Sequence, residues 1–375
     1  MHVTCLKTTV LLLLLLPATV MADAPAGYYD TVDLSSQAAL RQSIHNIIDN
    51  HVKIPYTSSS TDTWDVLERA DEDPYNSTRI LDVYQNRTFT KYTTGNAFYN
   101  REHTWPNSYG FPDDNSTNKA YTDCHHLFLC DIEYNSARSN LFYDDCVTSC
   151  TSYNTDFYDG DSGINKKDFD SWETWGGRQG DVARAMFYMD VRYAGDATGE
   201  PDLILTDDPG LIVTTGGNST VAYMGLLATL LEWHAADPVD AREMERNDWV
   251  HLYQGNRNPF IDNPDWVVGV FQGVITDVAQ EVPMIARITG VSPNPFNPST
   301  TIFFEMPVAG RVRVEIFGLD GRLLRTLADE SYSAGSMELT WDGRDQTGRA
   351  LGSGAFVCRL QTGRINDVRT LLLLK

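Results

Sequence analysis

Apolar residues recur with two different periods along this chain, and the change of period divides it. In the first two thirds the spacing is helical. Leu40, Ile44, Ile47 and Ile48 fall on one face and predict a helix over 37–50, and comparable segments cover 180–193 and 221–235. Aromatic and polar loops lie between them. Beyond residue 310 the period becomes two: Arg311 to Phe317 alternates strictly, and Glu338 to Trp341 and Ala355 to Leu360 repeat the pattern. Asp320-Gly321, Asp342-Gly343 and Thr347-Gly348 supply turns, and Leu371 to Leu374 read as a closing strand. The expectation is an α+β chain, a mixed part with a helical surround followed by a small all-β sandwich.

Two segments bound these parts. Residues 1–22 carry one cation, Lys7, then the apolar run Val10 to Leu16, and end with Val20 and Ala22 where a signal peptidase reads small residues. A cleaved signal is expected, since a spanning helix needs roughly 20 apolar residues. Three prolines within six residues, at Pro293, Pro295 and Pro298, place a linker over 281–295. The expected organisation is therefore a signal (1–22), a first domain (23–280), the linker, and the sandwich (296–375).

Charge complicates the reading. The chain carries −22, and because 286–375 hold 11 basic and 9 acidic residues, the whole of that excess and slightly more lies in the first domain. Proteins that grip polyanions are usually basic where they touch phosphate. Such a surface suits a phosphate substrate only where divalent cations offset the carboxylates, which predicts weak substrate affinity and strong cation dependence. Export makes disulfides the default for Cys124, Cys130, Cys146 and Cys150, with three pairings open. The competing reading is a zinc site with His125 or His126, although the spacings lack paired CxxC knuckles. Cys358 reads as a buried thiol of the sandwich.

The candidate chemistry is concentrated between residues 101 and 140. His103 precedes Trp105-Pro106, which places it where a strand leaves for a loop. A neutral imidazole there takes a proton from water near neutral pH, its ordinary pKa being about 6.5. Glu102 is a carboxylate ligand for a divalent cation, but adjacent strand residues point to opposite faces, so a regular strand separates it from His103. Asn135 offers a second, neutral oxygen ligand. Asp131 is placed to cap a short helix on which Asn135 and Arg138 share a face, so a cation ligand and a guanidinium can meet one phosphate. Arg101, His125 and His126 are candidates for substrate binding or support. Base, cation ligands and arginine together are the parts of a metal-dependent phosphodiesterase.

With Arg101-Glu102-His103, the Tyr121 to His126 run and the Asn135 to Asn140 run in view, the chain resembles the secreted bacterial endonuclease I family, a branch of the ββα-metal (His-Me finger) nucleases. Further matches run from Ile54-Pro55-Tyr56 through Gly180 to Tyr193, Leu231 to His234, and Gln254 to Asp262, covering about residues 36–268. The resemblance implies a secreted, Mg²⁺-dependent endonuclease (Mn²⁺ or Ca²⁺ as substitutes) that cuts DNA, and RNA, with little sequence preference and leaves 5′-phosphates. It implies His103 as general base, Glu102 and Asn135 as metal ligands, and Arg138 as a phosphate contact. Cys124 and Phe128 depart from the leucine and arginine usual around the histidine pair, and Cys146 with Cys150 adds a local bridge. Arg184 and Arg192 read as structural ion-pair partners.

The last part resembles the FlgD-type immunoglobulin-like domain, related to type IX secretion sorting domains, on Ser292 to Thr300, Arg322 to Leu327, Trp341 to Asp345 and Gly352 to Phe356. That resemblance implies partners in secretion or cell-surface attachment, so the expected location is secreted or surface-held, with no transmembrane segment after signal removal. The alternative function is a surface-attached binding or adhesion protein on an inactive nuclease scaffold. It predicts loss of His103, Glu102 or Asn135, and all three are present.

Overall fold

The computed structural model describes residues 24–158, 160–273, 286–306, 310–318, 321–333, 335–362 and 365–375. The expected signal lies outside them. Between residues 24 and 273 run helices α1 (Gln37–Ile48), α2 (Thr63–Ala70), α3 (Ile132–Arg138), α4 (Gln179–Arg192), α5 (Leu227–Ala236), α6 (Ala241–Gln254), α7 (Pro259–Asp262) and α8 (Trp266–Gln272). They surround small sheets. β1 (Glu72–Asp73), β2 (Asn76–Leu81) and β3 (Thr88–Thr90) form one, and β4 (Tyr99–His103) and β5 (Leu127–Asp131) form an antiparallel pair. β6 (Phe142–Tyr143), β7 (Thr151–Asn154), β8 (Ile164–Lys167) and β9 (Ser171–Glu173) assemble in the order β6-β9-β8-β7, and β10 (Asp202–Leu205) pairs with β11 (Val221–Met224) in parallel.

The helical periods account for the packing. Ser36 caps α1 by accepting from the amide of Ala39, and Leu40, Ile44 and Ile48 bury the face the spacing predicted. α4 is buried on every side from Gly180 to Arg192, so it forms the axis of the main core. Gly180 lets it approach α5, because a Cβ there would stand 2.0 Å from the carbonyl oxygen of Asp237.

The helix expected over 221–235 is split. Its first four residues form β11, alternating in burial against β10, and the helix starts only at Leu227. Gly225 stands at the break, where a Cβ would meet the Thr206 carbonyl oxygen at 2.3 Å. Strand pairing with 202–205, a contact remote in sequence, overrides the local helical period here.

The expected strands appear beyond residue 286. β12 (Arg287–Ser292), β13 (Thr300–Met306) and β16 (Gly335–Trp341) make one antiparallel sheet. β14 (Gly310–Gly318), β15 (Leu323–Tyr332), β17 (Gly354–Thr362) and β18 (Ile365–Leu373) make another in the order β15-β14-β17-β18. Both contribute to one apolar cluster that includes Ile302, Phe304, Val314, Trp341, Leu360 and Leu371. The linker expected over 281–295 needs correction, since Arg287–Ser292 is a strand of this cluster with Ile288 buried. The prolines end that strand instead of preceding the fold.

The cysteine expectation also divides. Cys146 and Cys150 form a disulfide, whereas Cys124 and Cys130 are buried thiols. Pleating explains it: β5 sends Leu127 and Leu129 into the cluster that holds Cys124, and Phe128 and Cys130 into the main core on its other face. The two sulfurs are thus on opposite sides of one strand.

Candidate active site

β4 and β5 pair in register from Tyr99↔Asp131 to His103↔Leu127, and β5 passes directly into α3. Asp131 is the hinge between them. Its carboxylate accepts from the amides of Glu133 (2.8 Å) and Tyr134 (3.2 Å), the cap the sequence predicted. Asp82 accepts in turn from the amide of Asp131, and burial pushes the Asp82 carboxyl up to about 7.

The strand and helix repeats match across this junction. Asn100 and Glu102, two apart on β4, face Asn135 and Arg138, three apart on α3. Asn135 Nδ2 donates to Asn100 Oδ1 at 2.7 Å, and Arg138 Nη1 lies 3.3 Å from Glu102 Oε1. Tyr84 donates its hydroxyl to the same Glu102 oxygen at 3.0 Å, and the Tyr143 hydroxyl lies 2.8 Å from that of Tyr84. Burial raises the Glu102 pKa to about 7, against the lowering effect of Arg138 and of the Tyr84 hydrogen bond.

His103 occupies the opposite face, as pleating requires. Its ring stacks on Tyr56 at 5.9 Å and packs edge-on to Tyr121 at 4.9 Å. Nε2 faces the Tyr121 carbonyl oxygen at 2.9 Å and is therefore the protonated nitrogen, which leaves the Nδ1 lone pair unused. Nδ1 takes no hydrogen bond among the described residues and is not sealed from solvent. Burial, then the neighbouring His126, pushes the His103 pKa down to about 3, so the imidazole is neutral at physiological pH.

The remaining expected residues lie around these two faces. Arg101, on the His103 face, is clamped between the rings of Tyr56 (3.4 Å) and Trp64 (4.3 Å) and donates to the Tyr56 carbonyl and to Thr63 Oγ1 (2.8 Å). His126 Nε2 donates to the Ala120 carbonyl (2.8 Å) and His125 Nε2 to that of Asn256 (3.1 Å); both rings are buried and neutral, their pKa pushed to about 4. The His126 ring lies 5.3 Å from that of His103, and the His125 ring packs against Tyr188 at 4.6 Å. Arg138 differs from expectation. It is fully buried, donates to the carbonyls of His103 (3.1 Å) and Thr104 (2.6 Å), and lies 4.6 Å over the Tyr143 ring. Both Nη groups donate inside the protein and Nε is buried without a partner, so the guanidinium faces Glu102 and the end of β4 rather than solvent. Arg184 and Arg192 are buried ion-pair partners of Glu243 and Glu200.

Two elements of the site escaped sequence reading. Asp123 is a buried hub that accepts from the amide of His125 (3.0 Å), Gln254 (3.0 Å), Tyr188 (2.8 Å) and Tyr193 (2.8 Å). Against the raising effect of burial, the surrounding imidazoles of His51, His125 and His126, then the Gln254 hydrogen bond, hold its carboxyl below the usual range. Its only local signal was its place before the histidine pair. Arg246, from α6, lies 3.8 Å over the Phe128 ring and pairs with Asp71 at 2.9 Å, so a cation stands beside position 128 although the residue itself is aromatic.

Oxygen chemistry decides whether a divalent cation suits the α3 face. Glu102 Oε2 and Asn135 Oδ1 accept no hydrogen bond among the described residues, and neither is sealed from solvent. One carboxylate and one amide oxygen fit a hard cation that keeps several waters. No group of three or more His, Cys, Asp or Glu gathers as a metal cluster among the described residues.

The chain is 39% identical over 260 residues to an extracellular ribonuclease of Bacillus subtilis (strain 168), covering 68% of this chain and 82% of the relative. An extracellular ribonuclease of Bacillus amyloliquefaciens is 38% identical over 242 residues, covering 64% and 76%. Among solved structures, FlgD of P. aeruginosa is 21% identical across 21% of this chain and 62% of that chain, with a TM-score of 0.18, too low to carry a fold argument. Residues 36–265 match the family described as Endonuclease I, and the match spans well over half of the chain. The chain belongs to the Endonuclease I family.

Proposed function

We propose that this protein is a secreted, divalent-cation-dependent endonuclease that hydrolyses DNA and RNA without sequence preference and leaves 5′-phosphates. The observation that carries the reading is the pairing of two faces at one strand end: a neutral imidazole with a free Nδ1 beside a face with two free oxygen donors. In this reading β4, β5 and α3 are the ββα-metal core. His103 Nδ1 takes a proton from water, which attacks phosphorus in line as the 3′-oxygen leaves. Glu102 and Asn135 would hold Mg²⁺, which would supply Lewis-acid stabilisation of the developing negative charge. Arg138 and Tyr84 hold the Glu102 carboxylate, and Tyr121 holds the His103 ring. An anionic phosphodiester beside His103 raises its pKa from the low value of the free protein, which makes the imidazole a better base once substrate is present.

The names of the relatives support RNA as a substrate, and the family supports a nuclease. We read residues 286–375 as an immunoglobulin-like attachment or sorting module without a catalytic part. The test is digestion of plasmid DNA and of RNA by the purified protein, with Mg²⁺ and with excess EDTA. Cutting of both polymers that stops in EDTA is expected; no cutting by the folded, Mg²⁺-supplied protein would overturn the reading in favour of a binding scaffold.

A further inference from the structure

We propose that Asn100 and Tyr84 are positioning residues that turn one oxygen of Asn135 and one of Glu102 toward a shared cation. This inference rests on the nuclease reading above. Asparagine is disfavoured inside strands, yet Asn100 occupies the middle of β4, half-buried, two residues before Glu102 on the same face. Its Oδ1 takes a proton of the Asn135 amide at 2.7 Å. An amide has its nitrogen and oxygen on opposite sides of one carbon, so fixing Nδ2 against Asn100 directs Oδ1 away from the strand backbone and leaves it unshared.

Tyr84 does the same for Glu102. A tyrosine hydroxyl has a single proton, and here it goes to Glu102 Oε1 at 3.0 Å. The Tyr143 hydroxyl, 2.8 Å away, must then donate to the Tyr84 oxygen, so a buried chain of one-way hydrogen bonds ends on Oε1. Arg138 Nη1, at 3.3 Å, faces that same oxygen. One hydrogen bond and one ion-pair contact hold Oε1 and none reaches Oε2 among the described residues, which is the pattern needed to present one carboxylate oxygen outward. Partners of this kind, outside the ligands themselves, typically change metal affinity by about 10- to 100-fold.

The test measures Mn²⁺ binding by calorimetry in a His103→Ala background, which separates binding from turnover. Asn100→Ala and Tyr84→Phe are each expected to weaken Mn²⁺ by roughly 10-fold or more, with the folded near-ultraviolet circular dichroism spectrum in EDTA retained. Tyr84→Phe keeps the buried ring, so this arm does not depend on a cavity being tolerated. Asn100→Asp can only accept, and it is expected to bind Mn²⁺ at least as tightly as the parent. Weakening of Asn100→Asp to the level of Asn100→Ala would overturn the assigned direction of that hydrogen bond. Unchanged isotherms for Asn100→Ala and Tyr84→Phe, where Glu102→Ala and Asn135→Ala lose binding, would overturn the positioning inference alone. A parent that binds no Mn²⁺, or retained binding in Glu102→Ala and Asn135→Ala, would overturn the cation site and the inference with it.

Discussion

The interior of residues 24–273 is polar where it matters, and that of residues 286–375 is almost dry. Asp71, Asp82, Glu102, Asp123, Arg138, Arg184, Arg192 and Arg246 are all buried in the first part, whereas Thr300 and Glu315 are the buried polar residues described in the second. Every histidine from His45 to His251 lies in the first part and none follows. Burying charge is costly unless each group is paired and hydrogen-bonded. A chain that bears this cost throughout its first part, at the strand end and along α4 and α6, and avoids it in a sandwich of the same molecule, separates a polar framework from apolar packing. The comparison teaches that residues 286–375 hold together by apolar burial, while the first part spends stability on holding a site.

The largest effect that sharpens this contrast is on turnover. His103→Ala is expected to lower kcat by about 100- to 10,000-fold, the usual contribution of a positioned base, with the unfolding midpoint nearly unchanged. Removing residues 286–375 is expected to leave kcat on soluble DNA and RNA within about two-fold, since no proposed catalytic atom lies there. Steady-state rates for the two proteins side by side check both. An inactive truncation would break the division of labour, and an active His103→Ala would remove His103 as the base.

The next effect falls on stability. Asp123→Ala removes the acceptor for four buried donors, two of them tyrosine hydroxyls at 2.8 Å. The expected cost is roughly 3 kcal/mol or more, from lost charge-assisted bonds and stranded donors. Urea unfolding followed by near-ultraviolet circular dichroism measures it. A loss under about 1 kcal/mol would mean that the polar interior is more adaptable than its geometry implies.

Much of this was legible beforehand, for a physical reason. Leu40, Ile44 and Ile48 repeat along one helix and Arg311 to Phe317 along one strand, and local periods of that kind survive folding. The strand end at His103 and the short helix carrying Asn135 were likewise legible in a short run of chain with a capping aspartate. The misreadings share a cause. Val221 to Met224 took its state from residues 202–205, Arg287–Ser292 from β13, and Arg138 its burial from Tyr143 and Glu102. Each was fixed by a partner in another element, which the local period of the residue's own segment does not report. The Glu102–His103 question was answerable in principle: the strand keeps its pleat, and the two residues work from opposite faces.

A smaller effect appears with pH. Burial depresses His125 to about 4, against about 6.5 when unfolded. The unfolded chain therefore takes up a proton that the folded one refuses, so the contribution of His125 is fully present above pH 6.5 and is lost as pH falls toward 4. The loss is at most about 3 kcal/mol for a shift of this size. Asp82 and Glu243, raised to about 7 and 8, gain stability over part of the same range, so a raw midpoint conceals the effect. The slope of unfolding free energy against pH isolates it, and His125→Gln is expected to flatten that slope between pH 6.5 and 4. Equal slopes would show that His125 titrates normally in the fold.

The smallest effect is expected at the disulfide. Cys146 and Cys150 are four residues apart, and crosslinking so short a segment removes little entropy from the unfolded chain, at most about 2 kcal/mol. The bridge closes an exposed loop between β6 and β7 that contains no proposed site residue, and Val147 within it is 85% exposed. The double variant Cys146→Ser, Cys150→Ser is therefore expected to keep kcat and Mn²⁺ affinity unchanged and to lower the unfolding midpoint by only a few degrees. Asp144 and Asp145 of the loop accept from Thr229 (2.6 Å) and Trp233 (2.8 Å), and at the bridge itself the amide of Cys146 donates to Glu173 at 2.9 Å. A large loss of activity in the double variant would mean that this contact transmits order from the sheet beside α3 to the Asn135 face. The contrast between a costly polar site and its inexpensive surroundings would then have to be redrawn to include the bridge.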